Sequence, residues 1–395
     1  MKILVLAWEF PPRIVGGIAR HVAELYPEFV LRGHEIHLIT VEFGQAPAYE
    51  KVEGIHVYRV CVAESHDFFH WVANMNVSMS DQGSELIRAQ GPFDLIHAHD
   101  WLVADAAITL KHHFKIPLLV TIHATEFGRH NGIYTESQRY VHQQERSLVY
   151  DAWRVIVCTN YMKHEVARTL GSPLDKLDVI YNGIRPDKKK LPPDFDKLSF
   201  RRRFAADEEK LIYYVGRMSP EKGVSVLLNA APIVFRQMAG RAKLVLIGGG
   251  NTDRLKTQAW NLGIWHKCYF TGFMSEHDLD LFQAIADCAV FPSLYEPFGI
   301  VALESFAAKV PVVVSDTGGL PEVVSHAKTG IITRSNDPNS LAWGIVEVLK
   351  NPDYAHWLVN NAYDELEHRF SWYKLALQTE AICYQILAER SQVNW

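Results

Sequence analysis

Short runs of aliphatic and β-branched residues recur along almost the whole chain, each followed by a loop and then by a stretch of helical periodicity. Residues 1–6, 35–40, 94–97, 118–122 and 154–158 form the first such series. Runs this short and this apolar read as strands buried on both faces. Between the first two, Val22, Leu25, Phe29 and Val30 fall on one helical face and Gly33 supplies a stop. A strand, a crossover helix and a second strand make a parallel sheet with helices on both sides.

The alternation breaks at 184–199, where RPDKKKLPPDFDKLS is polar, charged and proline-rich. A second series follows at 211–215, 244–247, 268–271, 288–291 and 312–315. From 352 to 395 the pattern is helical, with an interruption at Phe370-Ser371 before Trp372. The expected fold class is therefore α/β, with two facing doubly wound, Rossmann-like domains and a C-terminal helical segment. The expected boundaries are 1–185 for the first domain, 186–200 for a linker that includes a solvated Lys188–Lys190, 201–370 for the second domain, and 371–395 for a helix packing back on the first. Open α/β sheets bind ligands outside the carboxyl ends of their strands, so chemistry is sought in the strand-end loops.

Composition narrows the partners. Forty Lys and Arg against 45 Asp and Glu leave a net charge of −5, which provides no general attraction to nucleic acid or anionic membrane. Five cysteines, at 61, 158, 268, 288 and 383, contain no C-x-x-C and read as buried thiols in a reducing compartment. The opening MKILVLAWEFPP is too short for a secretory signal, and no window is long enough for a membrane span. A cytoplasmic protein without integral membrane association is expected.

Three loops stand out. The first strand runs into AWEFPPRIVGGIARH, with Gly16 and Gly17 opening a helix. Such a helix start can seat a phosphate on its N–H groups, although a tight turn needs the same residues. The strand 211–215 runs into GRMSPEKG, which places Arg217 and Lys222 where a guanidinium fork and an ammonium can grip a diphosphate. Downstream, FPSLYEPFGIVALES places Glu296 on a loop and Glu304 eight residues on, inside the following helix. That spacing is about two helical turns, so both carboxylates share one face with the first exposed N–H groups of the helix.

Taken together, the E-x7-E pair, the GRxxxEKG loop and the N-terminal Gly-Gly resemble the retaining family 4 glycosyltransferases of GT-B fold. The likeness spans the chain and includes Asn182-Gly183, Gly248 to Gly250, Thr271-Gly272-Phe273 and the segment Gly318-Gly319-Leu320-Pro321-Glu322. It implies that Arg217 and Lys222 bind the donor diphosphate and that Glu304 binds the ribose. It further implies that Glu296, with the backbone of Phe298, Gly299, Ile300 and Val301, holds the donor sugar. Gly16 and Gly17 would meet the β-phosphate, His123 the C6 side of the sugar, and Gly248, Gly250 and Phe273 the nucleotide. Domain closure about the linker is part of the same expectation. The donor is a nucleoside-diphosphate sugar, with UDP-glucose favoured, and it is a co-substrate: no cofactor and no metal are expected.

Rival readings are a dehydrogenase, a nucleotide-sugar epimerase and a silent sugar-nucleotide sensor. The first lacks G-x-G-x-x-G after the opening strand, and Asp253 stands where GGGNTD would need its third glycine. Asp278-Leu279-Asp280 reads as a helix start, and the nineteen histidines lack zinc-type spacing. For the acceptor, His99 and Asp100 in IHAHDW resemble the acceptor side of glycogen and starch synthases, yet Ile14 stands where those enzymes carry Lys. Arg20, Lys111, Arg129 and Arg185 could hold a sugar phosphate. The preference is for a phosphorylated hexose such as fructose 6-phosphate over a glucan. The aromatic run 66–71, HDFFHW, is expected to pack under a loop.

Overall fold

The opening strand, β1 (Lys2–Leu6), is an unbroken apolar run after its first residue, and Ile3 to Leu6 are buried, so helices must cover both of its faces. It lies inside an eight-stranded sheet with β2 (Glu35–Val41), β3 (Tyr49–Val52), β4 (Ile55–Val60), β5 (Leu95–His99), β6 (Leu118–Ile122), β7 (Arg154–Val157) and β8 (Leu177–Val179). Their spatial order is β3-β4-β2-β1-β5-β6-β7-β8, parallel throughout except for the β3–β4 pair at one edge. The computed structural model describes residues 1–189 and 191–395; Lys190, within the expected linker, lies outside the described residues.

The second sheet comprises β9 (Lys210–Val215), β10 (Ala242–Ile247), β11 (Cys268–Gly272), β12 (Cys288–Phe291), β13 (Val312–Ser315) and β14 (Ile331–Thr333). Its order is β11-β10-β9-β12-β13-β14, all parallel. Both sheets reverse their winding beside their first strand: between β1 and β5 in one, and between β9 and β12 in the other. Crevices for ligands open at such points, beyond the carboxyl ends of the strands.

The chain divides into two compact units, Met1–Gly183 with Trp372–Trp395, and Ile184–Ser371. The helix Trp372–Arg390 buries Trp372, Leu375, Cys383 and Ile386 in the same core as Val22, Leu25, Tyr26 and Phe29 of the helix Gly17–Leu31. Three polar bonds anchor that seam. Trp372 Nε1 donates to Glu24 Oε2 at 2.5 Å, Arg32 Nε donates to Glu380 Oε2 at 2.9 Å, and His34 Nε2 lies 2.6 Å from Glu380 Oε1.

Two expectations need correction. The stretch expected as a free linker belongs to the second unit. Lys189 Nζ bonds Asp280 Oδ1 and Gln283 Oε1, and Asp196 caps the short helix Lys197–Arg201. A lysine paired with a carboxylate on a neighbouring helix is a tether, which the charge run alone does not reveal. Cys61 is exposed while the other four cysteines are buried, because it sits just past the end of β4.

Candidate active site

In the second unit, three strand-end loops are stitched into one surface. Gly216 N donates to Ile247 O, Met218 N to Gly249 O, and Leu294 N and Tyr295 N both donate to Glu221 O. The loops after β9, β10 and β12 therefore hold one another by backbone bonds, which fixes their side chains without relying on long flexible contacts. The approach is close enough to demand glycine. A Cβ on Gly248, at φ +136, would stand 1.9 Å from Gly216 O, and one on Gly318 would stand 2.0 Å from Glu296 O. Gly319 N donates to that same Glu296 carbonyl at 2.8 Å.

On this platform Lys222 Nζ lies 2.8 Å from Glu296 Oε2, and Ser293 Oγ donates to the same oxygen at 3.2 Å. Arg217 is exposed and lies 3.6 Å from Glu221. Proline at the first turn of Pro220–Lys222 sets the entry angle that carries Lys222 toward Glu296. Glu304 is buried in the second turn of the helix Ile300–Ala307, whose N-cap is Gly299. Phe298 is buried, Ile300 and Val301 are half-buried, and Phe273 is exposed beyond β11. Gly250 packs against Met218 of the first loop. The result is two cations, two carboxylates and a helix N-terminus at one sheet edge, a set suited to an anion joined to a polyol.

The first unit builds its own cluster at the carboxyl edge of β1, β5 and β6. Asp100, at φ +60 just after β5, accepts from His123 N at 2.7 Å and fixes the turn after β6. Burial pushes the Asp100 carboxyl up to about 6, against the pull of Arg129 and the backbone N–H groups of His123 and Ala124. His99 Nδ1 lies 3.1 Å from His123 Nε2. Burial holds the His123 imidazole down to about 3, so the ring is neutral at physiological pH.

The glycine loop departs from its expected use. The buried Glu9 carboxylate accepts from Val15 N at 2.6 Å, Gly16 N at 2.9 Å and Ala19 N at 3.3 Å. Burial raises the Glu9 carboxyl, and those three amides and the nearby Asp100 act on it in opposite senses. Gly16 thus serves an internal carboxylate, which removes it from the expected phosphate seat. Gly17 keeps open space on the side where a Cβ would stand.

One acceptor candidate is also corrected. Lys111 lies in the last turn of the helix Ala104–Phe114, where its Nζ donates to Asp151 Oδ1 at 2.9 Å and to Asp151 O at 2.7 Å. That helix starts beside the carboxyl end of β5, so its last turn lies at the opposite end of the sheet. Arg185 belongs to the second unit. Arg20 lies in the first turn of the helix Gly17–Leu31 and Arg129 in the last turn of the short helix Glu126–His130, beside Glu126 at 3.7 Å, both in the first unit. Asp278 lies in the first turn of the helix Glu276–Gln283, capped by Ser275, as its sequence setting suggests.

Sequence reasoning passed over Glu9, His21 and Tyr26, and set His97 aside for lack of zinc-type spacing. The signal was present for one of them: in a strand, H-x-H places His97 and His99 on the same face. Glu9 and His21 carry no pattern until the chain folds.

Residues 196–365 match the model of the glycosyl transferases group 1, and residues 15–188 match that of glycosyltransferase family 4. The chain is 38% identical to an uncharacterized glycosyltransferase of Methanocaldococcus jannaschii over 98% of its length and 99% of the relative's. It is 34% identical to the glycogen synthase of Mycobacterium tuberculosis, over 97% and 94% respectively. The chain belongs to the family 4-type glycosyltransferases of GT-B fold. Among solved structures, this glycosyltransferase resembles sucrose-phosphate synthase from Thermosynechococcus elongatus, with TM-score 0.82, 23% identity, and 98% and 99% of the two chains covered. It also resembles Anabaena HepE in complex with UDP-glucose, with TM-score 0.77, 21% identity, and 100% of each chain covered. Among the described residues, no helix is long and apolar enough to cross a membrane.

Proposed function

We propose that this glycosyltransferase moves a hexose, with retention of anomeric configuration and without a metal requirement, from UDP-glucose to a sugar acceptor. The observation that carries this reading is the Lys222–Glu296 contact, with Arg217 beside it, at the point where β9 and β12 diverge. Cleavage of the anomeric C–O bond builds positive charge on the sugar and negative charge on the leaving diphosphate. Lys222 and Arg217 offset the second, and Glu296 accepts bonds from the sugar hydroxyls. A departing phosphate oxygen can take the acceptor's proton, so no separate base is needed. His123, as a neutral ring, would hold a sugar hydroxyl. HepE was solved with UDP-glucose, which supports that donor. The test is a matrix of donors and acceptors assayed for nucleoside diphosphate release, with product anomeric configuration read by NMR. An inverted product, or release indifferent to Lys222→Ala, overturns the reading.

A glucan acceptor is the second reading, and one observation favours it over fructose 6-phosphate. Lys111, one of the four cations expected to hold a phosphate, is engaged by Asp151 instead, whereas Phe68, Phe69, Trp101 and Tyr140 form edge-to-face contacts next to Asp100. Phe68 is half exposed and stacks on Trp71. Aromatic faces suit the apolar faces of neutral sugars better than they suit a phosphate. The 34% identity to a glycogen synthase points the same way.

A further inference from the structure

His21, His99 and His123 arrive from the helix Gly17–Leu31, the end of β5 and the end of β6, and each brings one ring nitrogen within 4.8 Å of the other two. His21 Nδ1 lies 2.7 Å from Asn182 Oδ1, an acceptor, so that nitrogen carries the proton and Nε2 carries a lone pair. That Nε2 is buried and has no hydrogen-bond partner among the described residues, although it faces two further imidazoles. An orphaned acceptor in the wall of a histidine cluster is costly unless something occupies the space between the rings.

The surroundings supply the partners that metal-bound imidazoles use. His99 Nε2 lies 2.9 Å from the Tyr26 hydroxyl, that hydroxyl lies 2.8 Å from His97 Nδ1, and His97 Nε2 lies 2.8 Å from Thr121 Oγ1. Of the two polarities this chain allows, one runs His99 Nε2–H to Tyr26, Tyr26 O–H to His97, His97 Nε2–H to Thr121. In that polarity His99 Nδ1 carries a lone pair aimed at His123. Two ligand rings are then oriented through their second nitrogen, His21 by Asn182 and His99 by Tyr26, which is the usual support for a metal-binding histidine.

We propose that His21 Nε2, His99 Nδ1 and His123 Nε2 form a three-imidazole site for a borderline divalent transition ion, Zn²⁺ above all. Four-coordinate zinc with Zn–N of about 2.0–2.1 Å sets its ligand nitrogens about 3.3 Å apart, and the His99–His123 pair stands at 3.1 Å. Capture exchanges that ring-to-ring contact for two metal bonds and draws in His21. The half-buried His123 marks the side from which an ion enters and where a fourth ligand sits. Occupation withdraws the His123 nitrogen from any substrate hydroxyl. That consequence, unlike the site itself, rests on the function proposed above.

The test uses the full chain stripped with a chelator and titrated with Co²⁺, with Zn²⁺ as competitor. The expected result is one equivalent bound with the intense visible bands of tetrahedral cobalt, displaced by Zn²⁺. His21→Ala should abolish those bands, and Asn182→Ala should weaken binding about 10- to 100-fold. His356→Ala, on the helix Pro352–Arg369, should change nothing. Far-UV circular dichroism of each variant separates lost ligation from lost fold. Absence of tetrahedral bands in the wild type, or bands that survive in a folded His21→Ala protein, overturns the site. Nucleoside diphosphate release is measured separately on the metal-free chain, so a chain inactive without metal that still binds Co²⁺ defeats the functional reading and leaves the metal site standing.

Discussion

Lys222 Nζ and Glu296 Oε2 stand 2.8 Å apart although 74 residues separate them, and both side chains are largely shielded from water. Under the function proposed above, the carboxylate would neutralise the ammonium until a diphosphate competed for it. On that reading the pair would then divide its work between the leaving group and the sugar, which would join sequence-distant loops into one reaction centre.

Lys222→Ala is expected to lower nucleoside diphosphate release by about 10²- to 10³-fold, the effect of removing one preorganised stabiliser of a developing charge. It also leaves Glu296 without its ammonium. Unfolding by urea should show a loss of roughly 1–3 kcal/mol, recovered in part by Lys222→Met with Glu296→Gln. Equal turnover in wild type and Lys222→Ala would remove this lysine from the mechanism.

The sheets were legible because each buried strand is a short apolar run, and burial on both faces leaves no alternative pattern for such runs. Arg217, Lys222, Glu296 and Glu304 were legible for a related reason: each sits at a fixed offset from a strand end or helix start, where backbone geometry aims the side chain. Glu9 was not. Its role depends on three amides that meet only when the Pro-Pro turn folds the loop back over the helix start. Lys111 misled because a cation has the same letter whether it faces a ligand or Asp151, and only packing decides which. The histidine cluster gathers residues 21, 99 and 123 from three elements, and no linear spacing encodes that.

Glu9→Ala removes the acceptor for the amides of Val15, Gly16 and Ala19 together. Hydrogen bonds to a charged group contribute about 1.5–3 kcal/mol each, and water can replace part of that here, so a net loss of about 2–4 kcal/mol is expected. Amide hydrogen exchange should locate it. Faster exchange in the first turn of Gly17–Leu31, with the second unit unchanged, is the predicted map.

Acid should loosen the C-terminal helix through Glu380. Burial alone would raise this carboxyl, but hydrogen bonds from Arg32 and His34 outweigh it and leave it below its ordinary 4.5. A depressed carboxyl stabilises the fold above its unfolded value and loses that contribution as pH falls through the lower, folded value. Exchange in Trp372–Arg390 should therefore accelerate below about pH 4.5 in the wild type. In Glu380→Gln it should already be fast at neutral pH and vary less with acid.

Gly248→Ala tests whether the donor platform depends on backbone contact. A methyl group there would stand 1.9 Å from Gly216 O, at a φ of +136 that L side chains rarely adopt. The loops after β9 and β10 must separate, which moves Arg217 and Lys222 together. Nucleotide affinity, read by calorimetry with UDP, should fall at least about tenfold, or about 1.4 kcal/mol, while the first unit keeps its exchange pattern.

Phe68→Ala decides between the two acceptors. The ring is half exposed, touches Trp101 edge-on and stacks on Trp71, so its removal opens the aromatic surface beside Asp100 without emptying a core position. A glucan that lies on these faces should lose about 1–2 kcal/mol of binding, seen as a KM raised roughly 5- to 30-fold with kcat little changed. Fructose 6-phosphate has no use for the surface, and its turnover should instead respond to Arg20→Ala, where a guanidinium would otherwise grip the phosphate. A variant that loses turnover with fructose 6-phosphate but not with glucan would reverse the preference, because it would mean that the aromatic band orders the cationic side and never touches the acceptor.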